Sequence, residues 1–143
     1  MKIDKTANIK LTKELTDLKE VKSMLGAVFY ATQDAISVVN KEGLGIMINP
    51  AYTKITGLTE KDILGKPATV DIAEGESVHM KVLTTKKPVR GGLLKVGPSK
   101  KEVLVNAAPI IVDGELKGSV GVLHDITEMN KLSEELKQAK QKI

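Results

Sequence analysis

Few side chains in this sequence are suited to catalysis or to binding a charged ligand. The histidines are His79 and His124, and Arg90 is the single arginine among 22 lysine and arginine residues. Catalysis needs positioned groups, such as a nucleophile beside its base or a pair of tuned carboxylates. We find no such arrangement, and we therefore expect no enzymatic activity and no metal site.

The composition excludes several kinds of binding site and indicates where the protein acts. Because the chain has no cysteine, disulfides, thiolate zinc sites and a cysteinyl-linked flavin are excluded. The net charge of +4 comes from lysines spread along the chain, and aromatic residues are 2%, so we expect no direct nucleic-acid binding. No apolar run has the length of a membrane span and the N-terminus lacks a secretion signal, so we expect a cytoplasmic protein that does not enter a membrane.

The elements that must position any site are organised around a long hairpin, Glu102 to Thr127. Asp113-Gly114 is the dipeptide best suited to a two-residue hairpin turn, since both positions need positive φ. Setting Val112 opposite Glu115 predicts the remaining pairs by counting outward. The predicted inner face carries Val105, Ala107, Ile111, Leu116, Val120 and Val122, and the predicted outer face carries Leu104, Asn106, Ile110, Val112, Lys117, Ser119 and Leu123.

Shorter elements precede this hairpin. The patterns predict a helix from Leu11 to about Ala31, two strands, short helices opened by Asn49-Pro50 and Thr59, an acidic loop Asp71–Glu76, a helix Ser77–Thr85 and a strand Val89–Val96. We predict an α+β fold with a five-stranded antiparallel sheet and short helices on one face. The predicted divisions are 1–31 (polar tail and amphipathic helix), 32–127 (sheet domain) and 128–143 (coiled-coil helix).

The helices at both ends carry narrow apolar stripes. Past Thr127 the apolar spacing of three and four predicts a coiled-coil seam with a parallel partner helix. The alternative interpretation is a single helix that folds back on its own domain. The first stripe has two candidate partners, the hairpin's outer face or the same helix of a second subunit. We expect a homodimer. The residues assigned to its contacts are Leu11, Leu15, Leu18, Leu25, Met129, Leu132 and Leu136, and the C-terminal seam runs on to Ala139 and Ile143.

The order of these elements, and the turn and capping residues between them, resemble the PAS sensor fold from about Val28 to Thr127. The residues that carry the resemblance are Asp34-Ala35-Ile36, Asn40 to Gly43, Ile48 to Tyr52, Ile55-Thr56-Gly57, Ile63 to Lys66, Lys87-Pro88-Val89 and the closing Asp125-Ile126-Thr127. The resemblance implies a sensory module in which Asp125 and Thr127 form the signal junction between sheet and output helix. Asp125 can accept hydrogen bonds from backbone amides, and Thr127 can cap the helix.

The stretch Ala108 to Val122 looks most like the N-terminal PAS domains of bacterial sigma-54-dependent transcriptional activators. That resemblance implies ATPase and DNA-binding domains on the C-terminal side in the full-length protein. A sensor histidine kinase is the alternative parent.

PAS domains often hold a ligand between the sheet and the short helices. Counting from Lys95 places Arg90 on the inner face, where it could bind a carboxylate metabolite, although a bulge at Gly91-Gly92 would reverse this. The candidate lining is Tyr52, Thr69 and His79. The alternatives are a rim arginine paired with the Asp71–Glu76 loop, and a core filled by its own side chains. Haem is disfavoured, because His79 is displaced about one turn from the position of the ligand in haem-binding relatives.

Overall fold

The computed structural model describes residues 5–141, which separate into a first unit that ends at Thr32 and a second unit that begins at Gln33. The first unit is helix α1, Lys5–Ala31, which has no buried residue. It begins earlier than the predicted Leu11, because residues 5–10 contain no glycine or proline to stop a helix.

The second unit is an antiparallel sheet with short helices against one face. Its strands follow the order β2-β1-β6-β5-β4-β3. The elements in chain order are β1 (Ala35–Asn40), β2 (Gly45–Ile48), α2 (Pro50–Thr56), α3 (Glu60–Ile63), α4 (a 3₁₀ turn, Ala68–Asp71), β3 (Ile72–Glu74), α5 (Val78–Thr85), β4 (Val89–Val96), β5 (Lys101–Val112), β6 (Glu115–Asp125) and α6 (Thr127–Gln141).

The sheet has six strands, so the prediction of five was wrong. The additional strand, β3, lies within the stretch that we interpreted as the acidic loop Asp71–Glu76. It pairs antiparallel with the end of β4, where Ile72 lies opposite Val96. Three residues carry too little alternation to be recognised as a strand, and the pairing depends on a strand more than twenty residues away.

The short helices begin and end where their capping residues predict. The side chain of Asn49 accepts a hydrogen bond from the amide of Tyr52, Pro50 opens α2, and Gly57 ends it with a left-handed φ of 77°. Ser77 accepts from the amide of Met80 at the start of α5. These local signals set the ends of α2 and the start of α5, and both helices pack against the sheet.

The main hairpin turns at Asp113 and Gly114, with φ angles of 50° and 78°, as predicted. Val112 lies opposite Glu115 and Ile111 opposite Leu116, but a bulge then shifts the register by one residue. Beyond it Val105 lies opposite Leu123 and Ala107 opposite Gly121. The predicted face of β6 was therefore wrong past Lys117: Ser119 and Leu123 are buried in the core, whereas Val120 and Val122 lie on the outer face.

A second bulge, in β4, decides the orientation of Arg90. Val89 lies opposite Ala107 and Gly92 opposite Val105. Arg90 and Gly91 of β4 therefore both face a single residue of β5, Asn106. Leu94 and Val96 point inward as predicted, but Arg90 is exposed at the bulge. The prediction of an inward-facing arginine was wrong for this reason.

The core lies between the inner face of the sheet and helices α2, α3 and α5. It is made of aliphatic residues and one aromatic residue, Tyr52, which is fully buried. Its members are Ala35, Ile48, Tyr52, Ile63, Val78, Val82, Val96, Val103, Val105, Ala107 and Leu123. Polar side chains enter this core beside Tyr52, and they form the candidate site.

Candidate functional site

A buried histidine bridges helix α5 to two strands of the sheet. The Nε2 atom of His79 lies 2.7 Å from Oγ of Ser37 on β1, and its Nδ1 atom lies 2.8 Å from Oγ of Ser119 on β6. A neutral imidazole donates from one nitrogen and accepts at the other, and a serine hydroxyl can do either. Both ring nitrogens are therefore satisfied by rotation of two hydroxyl groups.

The ring fits because the strand beneath it carries no side chain at one position. A Cβ atom on Gly121 would lie 3.0 Å from both Cε1 and Nε2 of His79. Gly121 pairs with Ser37 across β1 and β6. The imidazole thus lies over the glycine, with a serine on each side.

Burial keeps this histidine neutral. It lowers the pKa of His79 to about 4, because the imidazolium ion would lose its hydration without gaining an anionic partner. Near neutral pH the three side chains therefore form an uncharged chain of hydrogen bonds inside the core.

A second buried polar pair lies between α2 and the end of α4. The phenol of Tyr52 donates to Oδ2 of Asp71 at 2.5 Å. Burial raises the pKa of Tyr52, and the neighbouring Asp71 carboxylate adds to this effect. Burial also raises the pKa of Asp71, although the hydrogen bond from Tyr52 opposes the shift. The carboxylate therefore depends on the tyrosine for stabilisation.

A small cavity lies between the histidine–serine group and the Tyr52–Asp71 pair. Its volume is about 10 Å³, and its lining includes Ser37, His79, Tyr52 and Asp71 together with Lys66. Such a space holds one water molecule at most. In this conformation the region between sheet and helices is packed by the chain's own polar and aliphatic side chains.

The structure brings together two of the four predicted ligand-binding residues. Tyr52 and His79 line the same cavity. Thr69 is exposed and lines a surface groove beside Met80 and Lys81, and Arg90 is exposed on β4. Both nitrogens of His79 are engaged by serines, so an axial bond to haem would require breaking one of these hydrogen bonds.

Sequence reasoning missed three members of this cluster, namely Ser37, Ser119 and Asp71. Ser37 lies in an alternating strand and could have been assigned to the inner face from its buried neighbours Ala35 and Val39. Ser119 was assigned to the outer face because the bulge was not foreseen. Within residues 5–141, no group of three or more His, Asp or Glu side chains could hold a metal ion.

The predicted signal junction is a set of hydrogen bonds where the sheet meets α6. The Oδ1 atom of Asp125 accepts from the amide of Thr127 at 3.0 Å, and its Oδ2 atom lies 3.3 Å from Nζ of Lys101. Burial alone would raise the pKa of Asp125, but the bonds from Thr127 and Lys101 hold it below its usual value. The carboxylate of Asp125 satisfies the first amide of the helix, as predicted. Thr127 is the first helical residue, so the prediction that it caps the helix was wrong.

Two further contacts hold the first turn of α6 against β5. The amide of Ile126 donates to the backbone oxygen of Glu102 at 3.0 Å, and the side chain of Asn130 donates to the Glu102 carboxylate. The direction of α6 is therefore tied to the position of β5.

The residues predicted to form coiled coils are exposed in this single chain. Leu11, Leu15, Leu18, Leu25, Met129, Leu132 and Leu136 have exposed fractions between 54% and 68%. Ile143 lies outside the described residues. These side chains are available to a partner surface.

Comparison with known proteins identifies the family. A family model described as the PAS fold matches residues 23–126. The chain belongs to the PAS family. Solved PAS domains share its architecture: one from Colwellia psychrerythraea aligns with a TM-score of 0.64 and 18% identity over 76% of this chain and 98% of that chain. The PAS domain of Bordetella pertussis BvgS aligns with a TM-score of 0.57 and 26% identity over 87% and 99%.

Two curated relatives of this PAS chain come from Halalkalibacterium halodurans. Sensor protein CitS is 33% identical over 116 residues, which are 80% of this chain and 21% of that protein. A probable C4-dicarboxylate sensor kinase is 26% identical over 119 residues, or 77% of this chain and 20% of that protein. The chain thus spans about a fifth of the length of either relative. Among residues 5–141, every helix is either too short or too polar to span a lipid bilayer.

Proposed function

We propose that this chain is the PAS signalling module of a bacterial sensor histidine kinase. The similarity to sensor protein CitS over four fifths of the chain carries the proposal, and the similarity to a probable C4-dicarboxylate sensor kinase supports it. These relatives favour the kinase parent over the sigma-54-dependent activator that the Ala108–Val122 stretch resembles.

The junction geometry supports a role in transmission. The last residue of β6, Asp125, contacts both Lys101 on β5 and the first amide of α6. Asn130 and Ile126 attach the same helical turn to Glu102. A change in the twist of β5 and β6 would therefore reorient α6.

A second copy of the chain is the proposed partner of α6. Met129, Leu132 and Leu136 follow a three-four spacing and are exposed by 58% to 68%, while glutamates and lysines occupy the other faces. Pairing two such helices in parallel would bury this seam and carry a rotation toward the kinase domains.

The core geometry supports a module that transmits a signal without binding a ligand (a relay), in preference to a receptor that binds a carboxylate. The cavity of about 10 Å³ is lined by the Asp71 carboxylate, and the lone arginine is exposed on β4. A buried dicarboxylate would lie beside a negative group, and Lys66 is the cation in the lining. This favours the packed-core alternative over binding through Arg90.

A chimaera tests the parentage. The matching segment of the C4-dicarboxylate sensor kinase is replaced by this chain, joined through α6 with the heptad in phase, and autophosphorylation is measured. We expect kinase activity that changes when one residue is inserted after Gln138, because each helical residue turns the seam by about 100°. Insertion of seven residues restores the phase and is the control. Equal activity in all three proteins would contradict the proposal.

A thermal shift separates the relay from a receptor. Binding to the folded state raises stability by RT ln(1 + [L]/Kd). We expect no shift with succinate, fumarate or malate, and the same result for Arg90→Ala. A shift that Arg90→Ala abolishes would restore the carboxylate-receptor hypothesis.

A further inference from the structure

The short turn between β4 and β5 has a closely defined shape. It consists of Gly97, Pro98, Ser99 and Lys100, and the amide of Lys100 closes it by donating to the backbone oxygen of Gly97 at 3.1 Å. Pro98 suits the second position of such a turn, because its ring fixes φ near the value required there. Lys100 has a left-handed φ of 53°, which few conformations of a longer loop would impose on a lysine.

Gly97 contacts two elements of the helical layer. Its amide donates to the backbone oxygen of Asp71, the last residue of α4, at 2.8 Å. A Cβ atom at this position would lie 2.0 Å from the backbone oxygen of Thr56, the last residue of α2. Glycine permits this close approach, and its φ of 72° is left-handed as well. The turn is therefore attached to the ends of both α2 and α4.

Tyr52 connects these two contact points from inside the core. Its phenol donates to the carboxylate of Asp71, and its backbone oxygen accepts from the hydroxyl of Thr56 at 2.7 Å. Both Tyr52 and Thr56 are fully buried. Tyr52, Asp71, Gly97 and Thr56 thus form a closed ring of contacts. Because the ring is closed, a movement of the phenol would displace the backbone to which the turn is bonded.

The residues that follow the turn hold the first turn of α6. Lys101 comes directly after it, and its Nζ atom lies 3.3 Å from Oδ2 of Asp125. Glu102 is next, and it binds Ile126 through its backbone oxygen and Asn130 through its carboxylate. One end of the turn is therefore attached to the helical layer, and the other end leads into the contacts that orient α6.

We propose that this turn couples the packing of Tyr52 to the position of α6. The inference rests on the proposed transmitting role of α6, and it names the route by which a change in the core reaches that helix. A movement of Tyr52 would shift Asp71 and Gly97, and the closed turn would pass the shift to Lys101. Small shifts of packed elements are passed on in this way when each contact is fixed by a hydrogen bond.

Hydrogen exchange of backbone amides in the whole chain tests the coupling. Tyr52→Phe removes the bond to Asp71. NMR then measures exchange at Ile126 and Asn130, whose amides donate to the backbone oxygens of Glu102 and Ile126. We expect exchange at both amides to become at least about fivefold faster, because weaker attachment of β5 lets the first turn of α6 open more often.

Ser37→Ala is the matched control. It also removes a buried hydrogen bond, to His79, but Ser37 belongs to β1, which lies between β2 and β6 in the sheet. We expect exchange at Ile126 and Asn130 to rise by less than about twofold. Equal effects of Ser37→Ala and Tyr52→Phe would mean that α6 responds to the stability of the core alone, and they would refute the coupling.

A lengthened turn tests the route. Two glycines inserted between the exposed residues Ser99 and Lys100 loosen the turn at a site where insertions are tolerated. In this background Tyr52→Phe should no longer accelerate exchange at Ile126. If the fivefold effect persisted, the change would reach α6 by another path, and the proposal would be wrong. The measurement needs no kinase domain, so failure of the chimaera would refute the parentage and leave this result unaffected.

Discussion

The Nδ1 atom of His79 lies 2.8 Å from the hydroxyl oxygen of Ser119, across the boundary between helix α5 and strand β6. This bond joins helix α5 to the strand that leads into α6. Its loss would weaken both the core and the connection between α5 and the sheet.

Ser119→Ala should destabilise the protein by about 1–3 kcal/mol, because it leaves one buried nitrogen of His79 without a partner. Urea denaturation measures the change. Ser133→Ala, on the exposed surface of α6, is the control and should change the free energy of unfolding by less than about 0.5 kcal/mol. Equal stability of the two variants would show that the bond contributes nothing.

Acid should destabilise the wild-type protein through His79. The pKa falls from 6.5 to about 4 on folding, so below pH 6.5 the unfolded chain binds the proton and the folded chain does not. The free energy of unfolding should fall by up to about 3 kcal/mol between pH 6.5 and pH 4. Asp71 acts in the opposite direction, because its raised pKa favours proton uptake by the folded state.

Comparison with His79→Gln isolates the histidine contribution, since Asp71 and the other acidic groups are common to both proteins. The difference in stability between the two should be constant above pH 6.5 and should shrink below it. A difference that is independent of pH would mean that the imidazole is protonated equally in both states.

Gly121→Ala should destabilise the fold by about 1–3 kcal/mol, because the new methyl group would lie 3.0 Å from two atoms of the His79 ring. The ring cannot move away without leaving Ser37 or Ser119. Gly26→Ala is the matched control: its Cβ meets nothing within 4 Å, and alanine favours the helix by about 1 kcal/mol. Thermal unfolding of both variants should show shifts of opposite sign.

Tyr52→Phe should cost about 1–3 kcal/mol at pH 7, because it removes the phenol that donates to the Asp71 carboxylate. A double-mutant cycle with Asp71→Asn measures the coupling, which should be about 0.5–3 kcal/mol. Additive effects of the two substitutions would indicate that the pair contributes only by packing.

The elements that local chemistry determines could be predicted from the sequence. Asn49, Pro50 and Gly57 set the ends of α2, and Asp113-Gly114 sets the hairpin turn, because each signal acts within a few residues. The order of these elements resembles that of the PAS fold, and the family match confirms this prediction.

The bulge at Lys117 could not be predicted, because contacts from another strand decide it, whereas the glycine pair Gly91-Gly92 marks a possible bulge in β4. A Cβ atom at Gly118 would lie 2.1 Å from the carbonyl oxygen of Val39, so β1 approaches β6 closely just after the shift in register. The sequence of the hairpin does not contain this information. As a result Ser119 was assigned to the wrong face, and the bulge in β4 likewise reversed Arg90.

The candidate site was partly predicted. Tyr52 and His79 were named as lining residues, but their partners were not, since Asp71 lies 19 residues from Tyr52 and Ser119 lies 40 residues from His79. Contacts over such separations depend on the assembled sheet.

The register shift at Lys117 also has an evolutionary consequence. Lys117 is the extra residue of the bulge, so a single-codon deletion that removed it would leave Ile111 opposite Leu116 and Ile110 opposite Gly118. The remainder of β6 would keep its face, and Ser119 would stay beside the imidazole. Homologues that lack this one residue are thus expected to have a regular hairpin with the same hydroxyl-lined interior.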